Sequence, residues 1–358
     1  MRILHLPVNI ASAASHTVRG LRQSNAEVKV LGITFGDSAY DSARDICVVQ
    51  SAPRRKMLQW LGRRTIFAYK TLQLIRWADV LHWYFGSPIL PAGLDLSYVN
   101  FLGKPGLVEW LGSEIRIPEV EFADNPYYRA AFSEGYEYSF ENLRSSHKLQ
   151  QRFAGVGFAS VVSPGMFQYL NVSLWKKIYM VAQRIVLSDY VPFYPDPNSS
   201  RPVIVHSPTA PIAKGTTVIL EVVEKLRQKY EFEFQLITNV TRSQALEIMQ
   251  RADIFLDQLV IGHYGMAAIE AMAYGKPVVC YIKSSLVDQF PSDCPIVNAS
   301  QDTLEHVLEE LICNAQLRYE TGLRSRTYVE NFHNAVKIGQ QLLDIYRELL
   351  EEKNAKVL

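Results

Sequence analysis

The chain has 358 residues, of which 48% are hydrophobic and 20% are charged, with 37 lysines and arginines against 36 aspartates and glutamates. At about 150 residues per domain this length predicts two domains, and the ordinary glycine and proline content excludes collagenous and disordered proteins. A net charge of +1 provides no overall field for nucleic acid, so we expect no nucleic-acid partner. The four cysteines are widely scattered, which predicts free thiols in a reducing compartment and no zinc site.

The N-terminal segment combines one arginine with a partly apolar run, as secretion signals do. His5 and Asn9 interrupt that run, so we interpret it as the first strand of the fold. No stretch approaches about 18 uninterrupted apolar residues, the length needed to span a bilayer. We therefore expect a cytoplasmic protein.

Short apolar runs alternate with helical patterns along the chain, which is typical of βα units on a parallel sheet. The strands predicted in the first half are 2–7, 28–34, 80–84, 106–110 and 159–163. Those predicted in the second half are 203–206, 233–238, 254–257, 277–282 and 295–297. Two such sets predict an α/β protein with two doubly wound domains.

A proline-rich segment, 191–202, separates the two sets of strands, because Pro192, Pro195, Pro197 and Pro202 interrupt helix and strand alike. We expect an N-terminal domain over 1–195 and a C-terminal domain over 196–330. Apolar residues at helical spacing then predict a long amphipathic helix over 331–358.

Ligands of parallel sheets collect beyond the carboxyl ends of the strands, so the loops there are the first place to look for a site. Lys214 lies beside Gly215 at the start of a predicted helix, where an ammonium group and backbone amides hold phosphate. The alternative is a solvated lysine. Gly265 and Met266 present amides at another predicted helix start, which suits a diphosphate.

Glu270 lies about one and a half turns into that second helix, among apolar neighbours. A carboxylate there can accept hydrogen bonds from ribose hydroxyls; the alternative is a solvated helix residue. Burying a carboxylate without a partner is costly, so this position favours a ligand or a paired cation.

Linked segments of the chain form a distinctive pattern: Lys214-Gly215-Thr216, Ala252-Asp253-Ile254, Tyr264-Gly265, Glu270-Ala271-Met272-Ala273 and Gly275-Lys276-Pro277-Val278-Val279. Together they resemble glycosyltransferase family 4, whose members are nucleotide-sugar enzymes. Earlier in the chain, Gly103-Lys104-Pro105, Gly112-Ser113-Glu114-Ile115-Arg116 and Val161-Val162-Ser163-Pro164 resemble the same family.

The resemblance implies the GT-B fold: two Rossmann-like domains facing a cleft, with the C-terminal helix crossing back to the first. It also implies retaining transfer of a sugar from a nucleotide diphosphate held by the second domain. Lys214 would neutralise the diphosphate, Gly265 and Met266 would donate amides to it, and Glu270 would hold the ribose. No Asp-x-Asp occurs in the chain, and we expect neither a metal nor another cofactor.

Further site residues follow from their places in the pattern. Glu114, on a loop after a strand, and His16, after a loop of small residues, are predicted with Lys214 as catalytic-site residues. The alternatives are a salt-bridged loop pair of Glu114 with Arg116, and a structural histidine. His263 and Tyr264 are predicted to line the donor-sugar pocket, or else the surface.

The chain also departs from the family pattern. The family commonly has two glutamates seven residues apart; the second matches Glu270, but the first falls on Gly262. The arginine that commonly precedes the phosphate lysine has no counterpart in 209–213, Leu111 stands where the family has a histidine, and 11–15 replaces a glycine-rich loop. These losses favour a catalytically silent relative, whereas Lys214 and Glu270 favour an enzyme.

Residues 46–78 contain no aspartate or glutamate, while basic and apolar side chains alternate over 54–76. This pattern predicts a surface for anionic lipid; the alternative is a solvated basic face packed on its own domain. The basic residues are Arg54, Arg55, Lys56, Arg63, Arg64, Lys70 and Arg76.

The sequence therefore predicts a retaining hexosyltransferase that builds surface polysaccharide or glycan on a saccharide or lipid-linked acceptor, cytoplasmic and peripheral on the inner face of the membrane. The alternatives are a silent GT-B binding or scaffold subunit and a nucleotide-sugar epimerase. The aromatic and acidic stretch 119–141 suits either sugar binding or packing, and packing is favoured.

Overall fold

The computed structural model of the chain describes residues 1–36, 46–53 and 55–355. Its strands are β1 (Arg2–Leu6), β2 (Lys29–Gly36), β3 (Cys47–Gln50), β4 (Val80–Tyr84), β5 (Gly106–Glu109), β6 (Ala159–Val162), β7 (Ile178–Met180), β8 (Val203–His206), β9 (Glu233–Leu236), β10 (Ile254–Leu256), β11 (Val278–Cys280) and β12 (Val297–Asn298). Its α-helices are α1 (Ala13–Ser24), α2 (Met57–Trp77), α3 (Leu94–Phe101), α4 (Pro118–Asp124), α5 (Pro126–Ser133), α6 (Leu143–Gly155), α7 (Pro211–Lys214), α8 (Thr216–Arg227), α9 (Arg242–Arg251), α10 (Met266–Ala273), α11 (Leu304–Cys313), α12 (Ala315–Phe332) and α13 (Ala335–Ala355).

Within the described ranges the strands form two sheets, and every pairing between neighbouring strands is parallel. One sheet has the order β3-β2-β1-β4-β5-β6-β7 and the other has the order β12-β11-β10-β8-β9. Parallel strands that follow one another in the chain and lie side by side need a crossover; α1 provides it between β1 and β2, α8 between β8 and β9, and α10 between β10 and β11. This confirms the predicted α/β fold class.

The chain divides into two compact units. Unit 1 comprises Met1–Ile117, Glu141–Val186 and the residues from Asn334 onward; unit 2 comprises Pro118–Phe140 and Leu187–His333. The segment Pro118–Phe140 thus packs within unit 2, although it precedes the proline-rich segment by about 50 residues of sequence. Aromatic packing accounts for this placement, because Tyr128 and Tyr136 share an apolar cluster with Ala213 and Val260.

Helix α13 belongs to unit 1, where it packs against α1. Gly20 of α1 and Gly339 of α13 permit this approach: a Cβ on Gly339 would lie 2.9 Å from the backbone carbon of Gly20, and one on Gly20 would overlap the backbone of Ala335. The amphipathic pattern predicts this helix, and the paired glycines set how closely it approaches.

The strand predictions agree with the structure to within a few residues at each end, apart from two omissions. Strands β3 and β7 were not predicted, because both are short and lie at the two edges of their sheet, where burial is incomplete. Incomplete burial weakens the apolar pattern on which prediction depends. None of the described helices is both long and apolar enough to span a membrane.

Candidate functional site

Three loops that follow neighbouring strands of the five-stranded sheet carry the candidate donor site of unit 2. Strand β8 lies between β10 and β9, and His206, the last residue of β8, is paired with Leu256, the last of β10. Lys214 follows β8, Arg242 follows β9, and Asp257 and Gly265 follow β10. The topology therefore brings these polar groups to one edge of the sheet.

Lys214 and Gly265, both predicted to hold a diphosphate, meet on a single carboxylate. The ammonium of Lys214 lies 2.5 Å from Oδ1 of Asp257, and the amide of Gly265 donates to Oδ2 at 3.1 Å. The side chain of Asp257 is 1% exposed and that of Lys214 is 13% exposed. Two donors on one carboxylate define a position suited to an anion.

A buried histidine supports the loop that carries Lys214. His206 is fully buried, and its ring nitrogens lie 2.9 Å from the carbonyl oxygen of Leu256 and 3.0 Å from Oγ1 of Thr216. Burial lowers the pKa of His206 to about 4, so the ring is neutral near pH 7. It ties the start of α8 to β10 without adding charge.

Glu270 has a paired cation, one of the two partners that its position predicts. Its Oε1 accepts a hydrogen bond from the Tyr190 hydroxyl at 2.9 Å and another from the guanidinium of Arg242. Burial raises the pKa of Glu270, while Arg242 and Tyr190 oppose that shift. Arg242 therefore contributes to keeping the buried carboxylate ionised.

The other predicted residues of this loop have different environments. Met266 begins α10 directly after its N-cap, Gly265, so its amide lies in the first turn of the helix. His263 Nδ1 lies 3.2 Å from the carbonyl oxygen of Tyr264. The hydroxyl of Tyr264 lies 2.9 Å from that of Tyr328, so this ring packs in the interior of unit 2.

Position 262, where the family pattern has its first glutamate, is closely packed and has a backbone conformation that favours glycine. Gly262 has φ +82, and a Cβ there would lie 3.1 Å from Lys283 and 3.3 Å from Nδ2 of Asn125. Lys283 is buried with Glu121, at 3.3 Å, and its ammonium is 2.8 Å from Asp124. The absence of the glutamate therefore matches the local packing.

Helix α7, which ends at Lys214, is contacted by a carboxylate from the segment Pro118–Phe140. Glu137 accepts hydrogen bonds from the amides of Ile212 at 2.7 Å and Ala213 at 2.9 Å. This contact and the cluster around Tyr128 show that the segment packs, as favoured, and that it packs on unit 2.

In unit 1, Glu114 and Arg116 each contact other groups. Glu114 accepts hydrogen bonds from the amides of Leu111, at 2.5 Å, and Gly112, at 2.8 Å. Arg116 pairs with Glu141, at 2.5 Å. Burial raises the pKa of Glu114 to about 7, although backbone hydrogen bonds and the charge of Arg116 oppose the shift.

His16, the other candidate of unit 1, lies buried on α1. Its Nδ1 accepts a hydrogen bond of 3.4 Å from the amide of Val186. The nearby strand histidine His82 is fully buried between Glu109, at 2.9 Å, and the hydroxyl of Tyr346, at 2.7 Å. It links β4 and β5 to α13 and has a structural partner at each ring nitrogen.

Sequence reasoning missed Asp257, Arg242 and Tyr190. Asp257 directly follows β10, and Arg242 begins α9 after the loop that follows β9, so the rule that led to Lys214 would also have found both. Tyr190 gave no such signal. Among the described residues no group of three or more histidine, cysteine, aspartate or glutamate side chains is arranged to hold a metal.

The predicted lipid-binding surface is partly accounted for by contacts within unit 1. Arg63 donates to the carbonyl oxygens of Gln50 and Ser51, and Arg64 lies over the rings of Phe35 and Trp60. Arg54 lies outside the described residues. The start of α2 nevertheless exposes large apolar side chains: Met57, Leu58, Leu61 and Ile66.

Residues 221–318 match the family model of glycosyl transferases group 1. The structure of Anabaena Alr3699/HepE in complex with UDP and glucose is similar over 97% of this chain and 100% of that chain, with a TM-score of 0.60 and 14% identity. Sucrose-phosphate synthase from Thermosynechococcus elongatus is similar over 98% and 99%, with a TM-score of 0.62 and 14% identity. WaaG, a glycosyltransferase involved in lipopolysaccharide biosynthesis, is similar over 97% and 99%, with a TM-score of 0.59 and 12% identity.

No curated protein matches the chain by sequence. The structural similarities confirm the fold as that of GT-B glycosyltransferases. Together with the match over residues 221–318, they support a glycosyltransferase.

Proposed function

We propose that this protein is a retaining glycosyltransferase of the family 4 type, which transfers a sugar from a nucleotide diphosphate donor to a saccharide or lipid-linked acceptor in surface polysaccharide or glycan synthesis. The observation that carries the proposal is the convergence of the Lys214 ammonium and the Gly265 amide on one anion position. The Anabaena protein, whose fold is similar, has been solved with UDP and with UDP-glucose.

The difficulty in such a transfer is the charge that develops on the departing diphosphate. An ammonium group and amide dipoles that are already oriented stabilise that charge without reorganising during the reaction. In this proposal Lys214 neutralises the diphosphate, and the amides of Gly265 and Met266 add hydrogen bonds. The residues named act without a metal.

Glu270 would hold the ribose. Its two hydrogen bonds both use Oε1, and we assign the ribose hydroxyls to Oε2. Arg242 and Tyr190 then orient the carboxylate, because their contacts determine how its plane lies. His263 remains a candidate for the sugar pocket, whereas the Tyr264 ring would act through packing.

The proposal is tested by thermal unfolding with UDP, GDP and TDP. A ligand that binds only the folded state raises the melting temperature, and the effective nucleotide identifies the donor class. Lys214→Met should abolish the shift. Lys225→Ala removes an exposed ammonium of the same unit and should leave it intact. A full shift in Lys214→Met would contradict the donor-site assignment.

Two alternatives predict different outcomes of an activity assay. An epimerase converts the donor sugar without acceptor, whereas a transferase releases the nucleoside diphosphate slowly until acceptor is added. A silent scaffold subunit shows neither activity. In the transferase, Glu114→Gln and His16→Ala should reduce turnover more than they weaken nucleotide binding, since both belong to the predicted catalytic set.

We also propose that the start of α2 binds the inner face of an anionic membrane, which would place a lipid-linked acceptor near the enzyme. Leu58 is 86% exposed and Met57 is 67% exposed, next to Arg55 and Lys56 and within a stretch free of acidic residues. Basic residues attract the anionic surface, and apolar side chains enter the headgroup region.

Vesicle flotation tests this surface. The chain should float with vesicles containing phosphatidylglycerol and not with phosphatidylcholine alone, and Leu58→Ser with Lys56→Gln should abolish the difference. Phe101→Ser on α3, which removes another highly exposed apolar side chain of unit 1, is the matched control. Equal flotation with both lipids would contradict the proposal.

A further inference from the structure

The carboxylate of Asp257 contacts the two donors that the proposed diphosphate would contact. It lies directly after β10 and is nearly fully buried, with Oδ1 on the Lys214 ammonium and Oδ2 on the Gly265 amide. These two donors are the ones predicted to hold a diphosphate. One internal carboxylate therefore satisfies both donors.

The contacts of Asp257 with Lys214 and with Gly265 differ in whether the donor can bind a second anion at the same time. The Lys214 ammonium carries three protons and can donate to Asp257 and to a second anion together. Gly265 carries one amide proton, which Oδ2 accepts at 3.1 Å. A phosphate oxygen can take that proton only when the carboxylate leaves it, so binding at Gly265 is an exchange.

Electrostatics sets the condition for this exchange. The pair of Lys214 with Asp257 has no net charge, so it attracts a distant anion weakly, and an anion at the ammonium also meets the charge of Asp257. At short range and in partly buried surroundings such repulsion is substantial. A ligand with more negative charge is attracted more strongly by the ammonium, and it is also repelled more strongly by Asp257.

We infer that Asp257 is an internal counter-anion that the donor diphosphate must displace from the Gly265 amide, and that Asp257 thereby lowers the affinity of this position for anions. This inference rests on the proposed function, because it takes the same position as the donor site. Asp257 also balances the charge of Lys214, whose largely buried ammonium would be costly without a partner.

Calorimetric binding of inorganic pyrophosphate and inorganic phosphate tests the inference. Asp257→Asn should bind both anions about tenfold more tightly or better than the unaltered chain does, since a negative charge within a few ångströms is removed. The gain should appear with both anions, because both displace the same carboxylate. The double variant Lys214→Met with Asp257→Asn should lose the gain.

Glu224→Gln is the matched control, because it removes one carboxylate charge from an exposed position on α8 of the same unit. It should leave both affinities unchanged. Equal or weaker anion binding in Asp257→Asn would overturn the inference and make Asp257 a residue that only positions Lys214. An equal gain in anion affinity in Glu224→Gln would also overturn the inference, because it would show a general effect of net charge.

A second measurement does not depend on a variant that folds. In a crystal structure of the unaltered chain with pyrophosphate, Oδ2 of Asp257 should have left the Gly265 amide. Pyrophosphate bound with that contact retained overturns the inference and leaves the proposed function standing. Absence of both UDP and pyrophosphate binding in the unaltered chain overturns the two together.

Discussion

Two ion pairs lie at the carboxyl ends of parallel strands, one in each unit, and they differ in how completely the protein satisfies them. Glu109 ends β5 in unit 1, and both its oxygens accept from Arg184, at 2.8 and 2.5 Å, with His82 as a further partner. In unit 2 the Lys214 ammonium has one carboxylate, and part of its side chain reaches solvent.

The Glu109 and Arg184 pair of unit 1 is buried and has its hydrogen-bond partners within the protein. The Nε of Arg184 donates to Thr17 at 2.7 Å, and both side chains of the pair are buried. Burial opposes ionisation of Glu109, but Arg184 and His82 outweigh it and lower its pKa to about 2. The two strand-end pairs therefore differ in accessibility, because only the pair in unit 2 keeps a donor, Lys214, in part exposed to solvent.

The largest loss of stability should come from breaking the buried pair of Glu109 with Arg184. Glu109→Gln leaves the guanidinium of Arg184 buried without its counter-charge, which should cost unit 1 about 3–5 kcal/mol. All five tryptophans of the chain belong to unit 1, so tryptophan fluorescence during urea unfolding reports this unit.

The control for that experiment is Asp344→Asn on α13, which breaks an exposed pair with Arg347 and should change stability by about 0.5 kcal/mol or less. If Glu109→Gln were as mild as this control, the network around Arg184 would not stabilise unit 1 in the manner described.

An intermediate effect should come from Glu270 in unit 2. Glu270→Gln should weaken UDP binding about tenfold, because a charged hydrogen bond to ribose is replaced by a neutral one. Titration calorimetry should also show that the variant no longer prefers a ribonucleotide to its 2′-deoxy analogue.

Inorganic pyrophosphate separates this effect from damage to the diphosphate position, since it has no ribose, and its affinity should stay unchanged in Glu270→Gln. Tyr190→Phe removes one hydrogen bond to Oε1 and should have a smaller effect on UDP. A parallel loss of pyrophosphate binding would show that Glu270 supports the whole site and does not contact ribose specifically.

The last prediction concerns Glu114 and the pH dependence of the stability of unit 1. Burial raises its pKa from 4.5 to about 7, so between these values the folded chain retains a proton that the unfolded chain has released. Stability from this group is therefore present at low pH and is lost as pH rises toward 7, by at most about 1.4 kcal/mol per pH unit.

Glu114→Gln cannot ionise and should remove that contribution. The urea midpoint followed by tryptophan fluorescence should fall less steeply between about pH 5 and pH 7 in the variant than in the unaltered chain. Parallel pH profiles would mean that Glu114 ionises alike in the folded and unfolded states.

Much of the candidate donor site was predictable, because its residues follow strands that apolar patterns reveal. Lys214 and Glu270 have the local settings that their sequence neighbours indicate, and the cation expected for a buried Glu270 is present as Arg242. The strand-end rule extends to Asp257. Its pairing with Lys214 was not predictable, since 43 positions separate the two residues.

The resemblance to known motifs could not locate the segment Pro118–Phe140. In sequence it lies among the strands of the first sheet, yet Asn125 donates to the carbonyl oxygen of Val260 at 2.8 Å, across 135 positions. Its aromatic side chains indicate that it packs. They do not indicate where, because apolar contacts have no direction.

The sequence by itself determined the fold class, the order of most strands along the chain and the segments that carry polar groups, because periodicity and turn residues act locally. Only the tertiary structure decided that one carboxylate joins Lys214 to Gly265, that Arg242 balances Glu270, and that Glu137 holds α7. Such contacts depend on which strands lie side by side, and parallel strands are joined by long crossovers whose ends carry no local record of their partners.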